Sequence, residues 1–388
     1  AHKKAELILE KSPDDIDALN LLASAQVQER DIKAAIKTLH KAIALDASHF
    51  RSQIALARLY LLQRDVDRAQ EIYVKASSLE PGSRVPYVEL SRIYASKKQW
   101  EKAEAELKKM VQKADGPKYE SLIILARFYE SRKDWTNAEK TYLEAVDQAP
   151  EDDVDALRRL AGFYTRRGEY ENALGVLYKA AEIKKDDPDI QVSIAKLHLD
   201  FDHLEDAELA VDSVLEKDAG HVSANYIKGR ILYTEKDYPA AQEHFELVIR
   251  ERPRDANAYY FKARCLRARG NARLARNDLL KAVELNPALL EARLLLAETY
   301  LRERETKLAR AQTEAVLEKS PHNTRALIMD GNVSIFEKDM KGAEGAYKKA
   351  LSINPKYAPA YLRLGILYNL ENREKDALES LEKALEID

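Results

Sequence analysis

The chain has 388 residues, with 63 Lys and Arg against 66 Asp and Glu and a formal net charge of −3. That near balance excludes bulk electrostatic attraction to nucleic acid or to an anionic membrane, and no apolar run reaches the length that spans a bilayer. Length alone suggests two or three domains, but one period runs through the whole chain and predicts a single elongated domain.

In chain order, an alanine recurs as Ala1, Ala35, Ala69, Ala103, Ala138, Ala173, Ala207, Ala241, Ala275, Ala309, Ala343 and Ala377, in steps of 34 residues with two of 35. A fixed period of this size marks a solenoid, in which each unit stacks only on its neighbours. Residues 1–15 read as the second helix of a truncated repeat. Full repeats then follow at 16–49, 50–83, 84–118, 119–153, 154–187, 188–221, 222–255, 256–289, 290–323, 324–357 and 358–388.

Each unit predicts helix, turn, helix. The first helix carries a small residue at the eighth repeat position (Ala23, Ala57, Ser91, Ala126, Ala161, Ala195, Gly229, Ala263, Ala297, Gly331, Gly365), often with a tyrosine three residues later. Small residues at a fixed phase let two helices approach closely. The second helix carries the recurrent alanine and, four places on, a bulky residue such as Leu39, Tyr73, Tyr142, Phe245 or Tyr347. Asp31, Asp65, Asp134, Asp237, Asn271 and Asp339 stand four residues before their alanines, where a side chain caps a helix. Prolines such as Pro13, Pro81 and Pro150 punctuate the unit ends. The two longer units are expected to absorb their extra residue in the turns at 115–118 and 151–153.

Small, apolar, alanine and proline positions recurring in one register make the whole chain resemble the tetratricopeptide repeat family. Ala47, Asp115, Lys185 and Ala219 replace the usual proline, and Thr313 replaces a bulky residue. The resemblance implies an all-α fold, an α-solenoid coiled as a right-handed superhelix of eleven full repeats and a half repeat. Its first residues fall midway through a repeat and its last helix lacks a polar outer face, so the chain is expected to be part of a longer protein.

The search for chemistry is nearly empty. No phosphate-binding glycine loop, no G-x-S-x-G elbow and no H-E-x-x-H pair occurs, and His198 and His203 lack a convincing ligand set. Acid pairs such as Asp152 with Asp153 fall in turns. Cys265 occupies a core phase and is expected to be a buried structural thiol. No enzyme, cofactor or metal is expected.

The resemblance implies that partners bind in a concave groove lined by the second, fifth, ninth, twelfth and thirteenth repeat positions. Arg58, Arg92, Arg127, Lys196, Arg230 and Arg264 fill the ninth position and form a basic stripe suited to an acidic peptide. Alternatively the stripe is internally paired. Glu120, Asp155 and Glu291 are placed to neutralise Arg92, Arg127 and Arg264, and Asp200 lies one turn from Lys196, whereas Arg58 and Arg230 lack an evident acid. In repeats seven and eight, Tyr226, Arg230 and Tyr233 share a helical face, as do Tyr260, Arg264 and Arg267. Tyrosine and arginine dominate interface hot spots, so this patch is the candidate anchor, against the reading that the tyrosines fill space between helices.

The function expected is a protein-interaction scaffold that holds an acidic partner segment. Long regular arrays also look similar to the tetratricopeptide regions of bacterial envelope proteins in exopolysaccharide assembly and export. That gives the alternative of a non-catalytic arm of such a machine, soluble in the periplasm or envelope. The chaperone-tail clamp looks absent, because Ile328 and Arg363 flank Asn332. Helical-repeat RNA reading is disfavoured, since only two units are 35 residues long and the chain is not basic.

Overall fold

A computed structural model describes residues 1–387, and every regular element among them is an α-helix. The chain divides into two compact units, Ala1–Ile190 and Gln191–Asp388.

In the first unit α1 (His2–Lys11) precedes five helix pairs. These are α2 (Ile16–Gln28) with α3 (Ile32–Leu45), α4 (Phe50–Leu62) with α5 (Val66–Leu79), α6 (Arg84–Ser96) with α7 (Trp100–Lys113), α8 (Lys118–Ser131) with α9 (Trp135–Gln148), and α10 (Asp155–Arg167) with α11 (Tyr170–Ile183). The second unit holds α12 (Pro188–Asp200, from Gln191) with α13 (Leu204–Leu215), α14 (Val222–Thr234) with α15 (Tyr238–Glu251), and α16 (Ala256–Ala268) with α17 (Ala272–Leu285). It continues with α18 (Leu290–Arg302) and α19 (Thr306–Lys319), α20 (Thr324–Phe336) and α21 (Met340–Ile353), and α22 (Ala358–Leu370) and α23 (Glu374–Ile387). Within each unit, helices adjacent in the chain pack together, as the solenoid period requires, α12 meeting α13 through Ala195, Leu199, Ala207 and Val211 in one core cluster.

Short turns reverse the chain inside each pair. In the first, the Asp31 amide returns to the Gln26 carbonyl at 2.8 Å, a Schellman closure that puts Arg30 at φ 65°. The next residue caps the second helix. Side chains of Asp31, Asp65, Asp134, Asp237 and Asp339 accept the amides of Ala34, Arg68, Asn137, Ala240 and Gly342. Asn271 stands at the same place but makes no side-chain cap; the Ala272 amide bonds Gly270 O instead, at 3.0 Å.

The alanine ladder marks the packing points. From Ala35 to Ala343 every rung is fully buried, and Ala377 is 5% exposed. Ala1 departs from the pattern: it precedes α1 and is exposed, and Ala5 takes the buried place. Opposite the ladder, bulky side chains fill the space above the small eighth position. Thr313 fills it with a buried threonine whose hydroxyl donates to the Ala309 carbonyl at 2.9 Å. Cys265 is buried against Ala241 and Phe245, and burial pushes its thiol up to about 11, an inert structural sulfur.

Of the two extra residues, the first is placed differently from expectation and the second falls in the turn expected for it. The first lengthens a helix: α8 runs 14 residues from Lys118, where α6 and α10 have 13. The second lies in the connection between Gln148 and Asp155, where the Asp153 amide bonds the Pro150 carbonyl at 3.0 Å.

Candidate functional site

In the first unit the basic stripe is only partly paired, and with different acids from those expected. Arg92 bonds Glu89 on its own helix at 2.8 Å. Glu120, expected beside Arg92, pairs with Arg84, and Asp155, expected beside Arg127, pairs with Arg159 at 3.3 Å. Arg58 and Arg127 therefore have no carboxylate within 4 Å among the described residues.

The second unit reverses part of the sequence reading. Lys196 donates to Asp200 at 2.5 Å, and Asp200 also accepts Arg230 at 3.1 Å. Arg230 thus has an acid after all, supplied by the last residue of α12. Tyr226 fills space: its ring packs edge-on against Phe245 and Phe261, with centroids 6.0 and 5.8 Å away. Burial pushes its hydroxyl up to about 12.

Arg264 behaves otherwise. Its guanidinium lies 4.3 Å from the centroid of Tyr233, 5.2 Å from Phe261 and 5.6 Å from Tyr260. No carboxylate lies within 4 Å of it among the described residues, and Glu291 does not pair with it. Three ring faces attract the cation through their quadrupoles while leaving its donors available to a ligand. The rings hold one another, since Phe261 stacks on Phe245 at 5.5 Å and meets Tyr260 edge-on at 5.3 Å.

This cluster forms one wall of a groove of about 710 Å³. Tyr233, Tyr260, Arg264 and Arg267 of the predicted patch line it, whereas Tyr226 and Arg230 do not. α18 contributes Glu291, Leu294, Glu298 and Arg302, and α20 contributes Arg325 and Met329. Arg267 bonds Glu298 at 2.6 Å, and Arg302 bonds the same carboxylate at 2.9 Å. Arg264 and Arg325 stay uncompensated at this distance among the described residues. Burial raises the Tyr260 hydroxyl, and the charges of Arg264 and Arg325 oppose that shift, so both cations act on one ring.

Arg302 and Arg325 went unnoticed in the sequence. They stand at the thirteenth and second positions of their repeats, which the resemblance names as groove positions. The signal was therefore present, but it lies in repeats nine and ten, beyond the ninth-position stripe and the patch of repeats seven and eight.

A stack of helix pairs with an aromatic and arginine groove defines a helical-repeat binding protein. Models described as tetratricopeptide repeat match residues 26–85, 60–124 and 164–231, residues 134–188, 236–288 and 262–324, and residues 346–379. The chain belongs to the tetratricopeptide repeat family, and its class is that of a protein-interaction scaffold. No curated protein matches it. Among solved structures it is similar to the APC/C hetero-tetramer Cut9–Hcn1, at 15% identity and a TM-score of 0.47 over 98% of this chain and 88% of that one. It is similar to pilF of Pseudomonas aeruginosa at 20% identity and a TM-score of 0.49, over 57% and 97% of the two chains. A third likeness is YrrB, described as a TPR protein with an unusual peptide-binding site, at 27% identity and a TM-score of 0.39 over 47% and 95%. Among the described residues, no helix is long and apolar enough to cross a membrane.

Proposed function

We propose that the groove between α14 and α20 holds an acidic segment of a partner protein, with a carboxylate seated on Arg264. The observation behind this reading is the unpaired guanidinium of Arg264 among Tyr233, Tyr260 and Phe261. A guanidinium presents a rigid fork that matches a carboxylate, and aromatic walls exclude the water that would screen the pair. Arg325 adds a second cation, while Leu294 and Met329 supply apolar surface for a neighbouring side chain. Within the first unit, Arg58 and Arg127 are further cations with no carboxylate within 4 Å among the described residues, whereas Arg92 is already neutralised. As an arm of an envelope or exopolysaccharide export machine, the chain would use the same groove for that machine's acidic segment.

The test is a library of acidic, neutral and basic peptides titrated against the whole chain, with single-stranded RNA as a competitor class. Acidic peptides should bind best. R264E and R325E should each weaken them by about tenfold or more, as hot-spot losses near 1.4 kcal/mol do, while R127E should not. Preference for basic peptides or for RNA, or affinity indifferent to R264E, overturns the reading.

A further inference from the structure

His198, His203 and Asp206 each bring one ligand-type atom to the turn between α12 and α13, all within 4.8 Å of one another. Asp206 Oδ2 stands 4.0 Å from Nδ1 of His198 and 4.0 Å from Nδ1 of His203. Hydrogen bonds fix the backbone beneath them. The His198 carbonyl accepts the His203 amide at 2.9 Å and the Phe201 amide at 3.2 Å. His198 is almost buried, with its side chain 7% exposed, whereas His203 and Asp206 open to solvent at 44% and 56%.

The other repeats of this chain place different chemistry at the two histidine positions. Where this repeat has His198, others have Tyr60, Tyr94, Tyr129, Tyr164, Tyr300 and Tyr368. Three of those hydroxyls donate to Glu104, Glu139 and Glu344. Where it has His203, five others have the capping aspartates, and the His203 side chain makes no cap of its own. Where it has Asp206, the flanking repeats have Asn172 and Ala240, and the last repeat has Asp376 without histidines at the other two positions. Two departures from the internal pattern, His198 and His203, meet a carboxylate at one point.

We propose that His198, His203 and Asp206 bind one divalent transition-metal ion, zinc foremost, which ties the end of α12 to the first turn of α13. Two imidazoles and one carboxylate make a mixed nitrogen and oxygen set, suited to zinc, nickel or cobalt, whereas calcium and magnesium take oxygen shells. Zinc holds such ligands at about 2.0–2.2 Å, so ligand atoms must close by roughly 1 Å from their present separations. The exposed His203 and Asp206 side chains can make that movement by rotation while His198 stays fixed. Water fills the remaining coordination, since the solvent side of the turn is open. An ion held here stabilises this repeat by mass action, because the unfolded chain does not gather the three ligands.

The experiment titrates the metal-stripped whole chain with Zn²⁺ by calorimetry and with Co²⁺ by visible absorption, beside H203A, D206N and the control H322A. His322 is exposed on a distant turn. The expected result is one saturable site with cobalt d–d bands, weakened by about tenfold or more in H203A and in D206N, and unchanged in H322A. Both variants alter exposed side chains, and unchanged circular dichroism establishes that they fold. The absence of a saturable site, or a site that survives H203A and D206N or is lost in H322A, overturns the proposal.

Discussion

A Cβ atom on Gly331 would stand 2.3 Å from Cε1 of Tyr347, so the ring of α21 occupies the space that any side chain at the eighth position of α20 would need. Asn332 explains the arrangement. Its Oδ1 accepts the Tyr347 hydroxyl at 2.8 Å and draws the ring across Gly331. Elsewhere the same position tolerates a methyl group, as at fully buried Ala57, in the repeat of Tyr73.

Gly331→Ala should therefore push the Tyr347 ring away from Asn332. Overpacking of a close-packed core costs about 1–3 kcal/mol. In a repeat array the cost is felt mainly in the unit concerned, so amide exchange should quicken in α20 and α21 and stay unchanged in α2 and α3. Exchange that is unaltered throughout would show that the ring has room to yield.

Tyr73 and Tyr347 share a repeat position and predict opposite responses to loss of a hydroxyl. The Tyr73 hydroxyl is fully buried and makes no hydrogen bond of normal geometry among the described residues; burial pushes its pKa up to about 12, and the nearby Arg58 guanidinium opposes that shift. A buried unsatisfied group costs about 1–3 kcal/mol, so Tyr73→Phe should raise the thermal midpoint. Tyr347→Phe removes a made bond and leaves Asn332 Oδ1 without it, so the midpoint should fall. Equal shifts of the same sign would mean that the Tyr73 hydroxyl is satisfied in solution.

The solenoid was legible because its period is a packing requirement. Each rung from Ala35 onward is buried for the same reason, and no long-range information is needed to see it. Charge pairing was much less legible. Asp200 reaches Arg230 from the preceding repeat, and Glu298 gathers Arg267 from the repeat before it, so these partners depend on side-chain reach between helices. The register of the following repeat assigned Glu120 to Arg92, while space gave it to Arg84. The proposed metal ligands are a related case: His198 and His203 lacked a ligand set in the sequence, and Asp206 joins them only because the turn folds α13 back onto α12.

His244 contributes to the pH dependence of the second unit. Its Nδ1 lies 2.7 Å from Asn225 Oδ1, and burial lowers its pKa below the ordinary 6.5, with Lys228 reinforcing that shift and Glu243 and Asp212 opposing it. A histidine with a depressed folded pKa binds its proton more readily when unfolded. Stability is thus fully present above about pH 6.5 and declines as the pH falls through that value toward the lower folded pKa. Urea midpoints at pH 7.5 and pH 5.5 should differ in the parent chain and differ less in His244→Gln. Identical differences in both proteins would remove His244 as the source.

Glu298 is the acid that restrains the groove. It holds Arg267 at 2.6 Å and Arg302 at 2.9 Å, so a carboxylate-bearing ligand must compete for cations already engaged. Glu298→Gln keeps the shape and a hydrogen-bond acceptor but removes the charge, leaving four groove arginines opposed only by Glu291. Binding of an acidic peptide should tighten by several-fold, chiefly through faster association, and its dependence on salt should steepen. Arg264→Glu should act in the opposite direction on the same peptide. Weaker binding by the glutamine variant would mean that the Glu298 bridges build the groove and that their loss collapses its arginine wall.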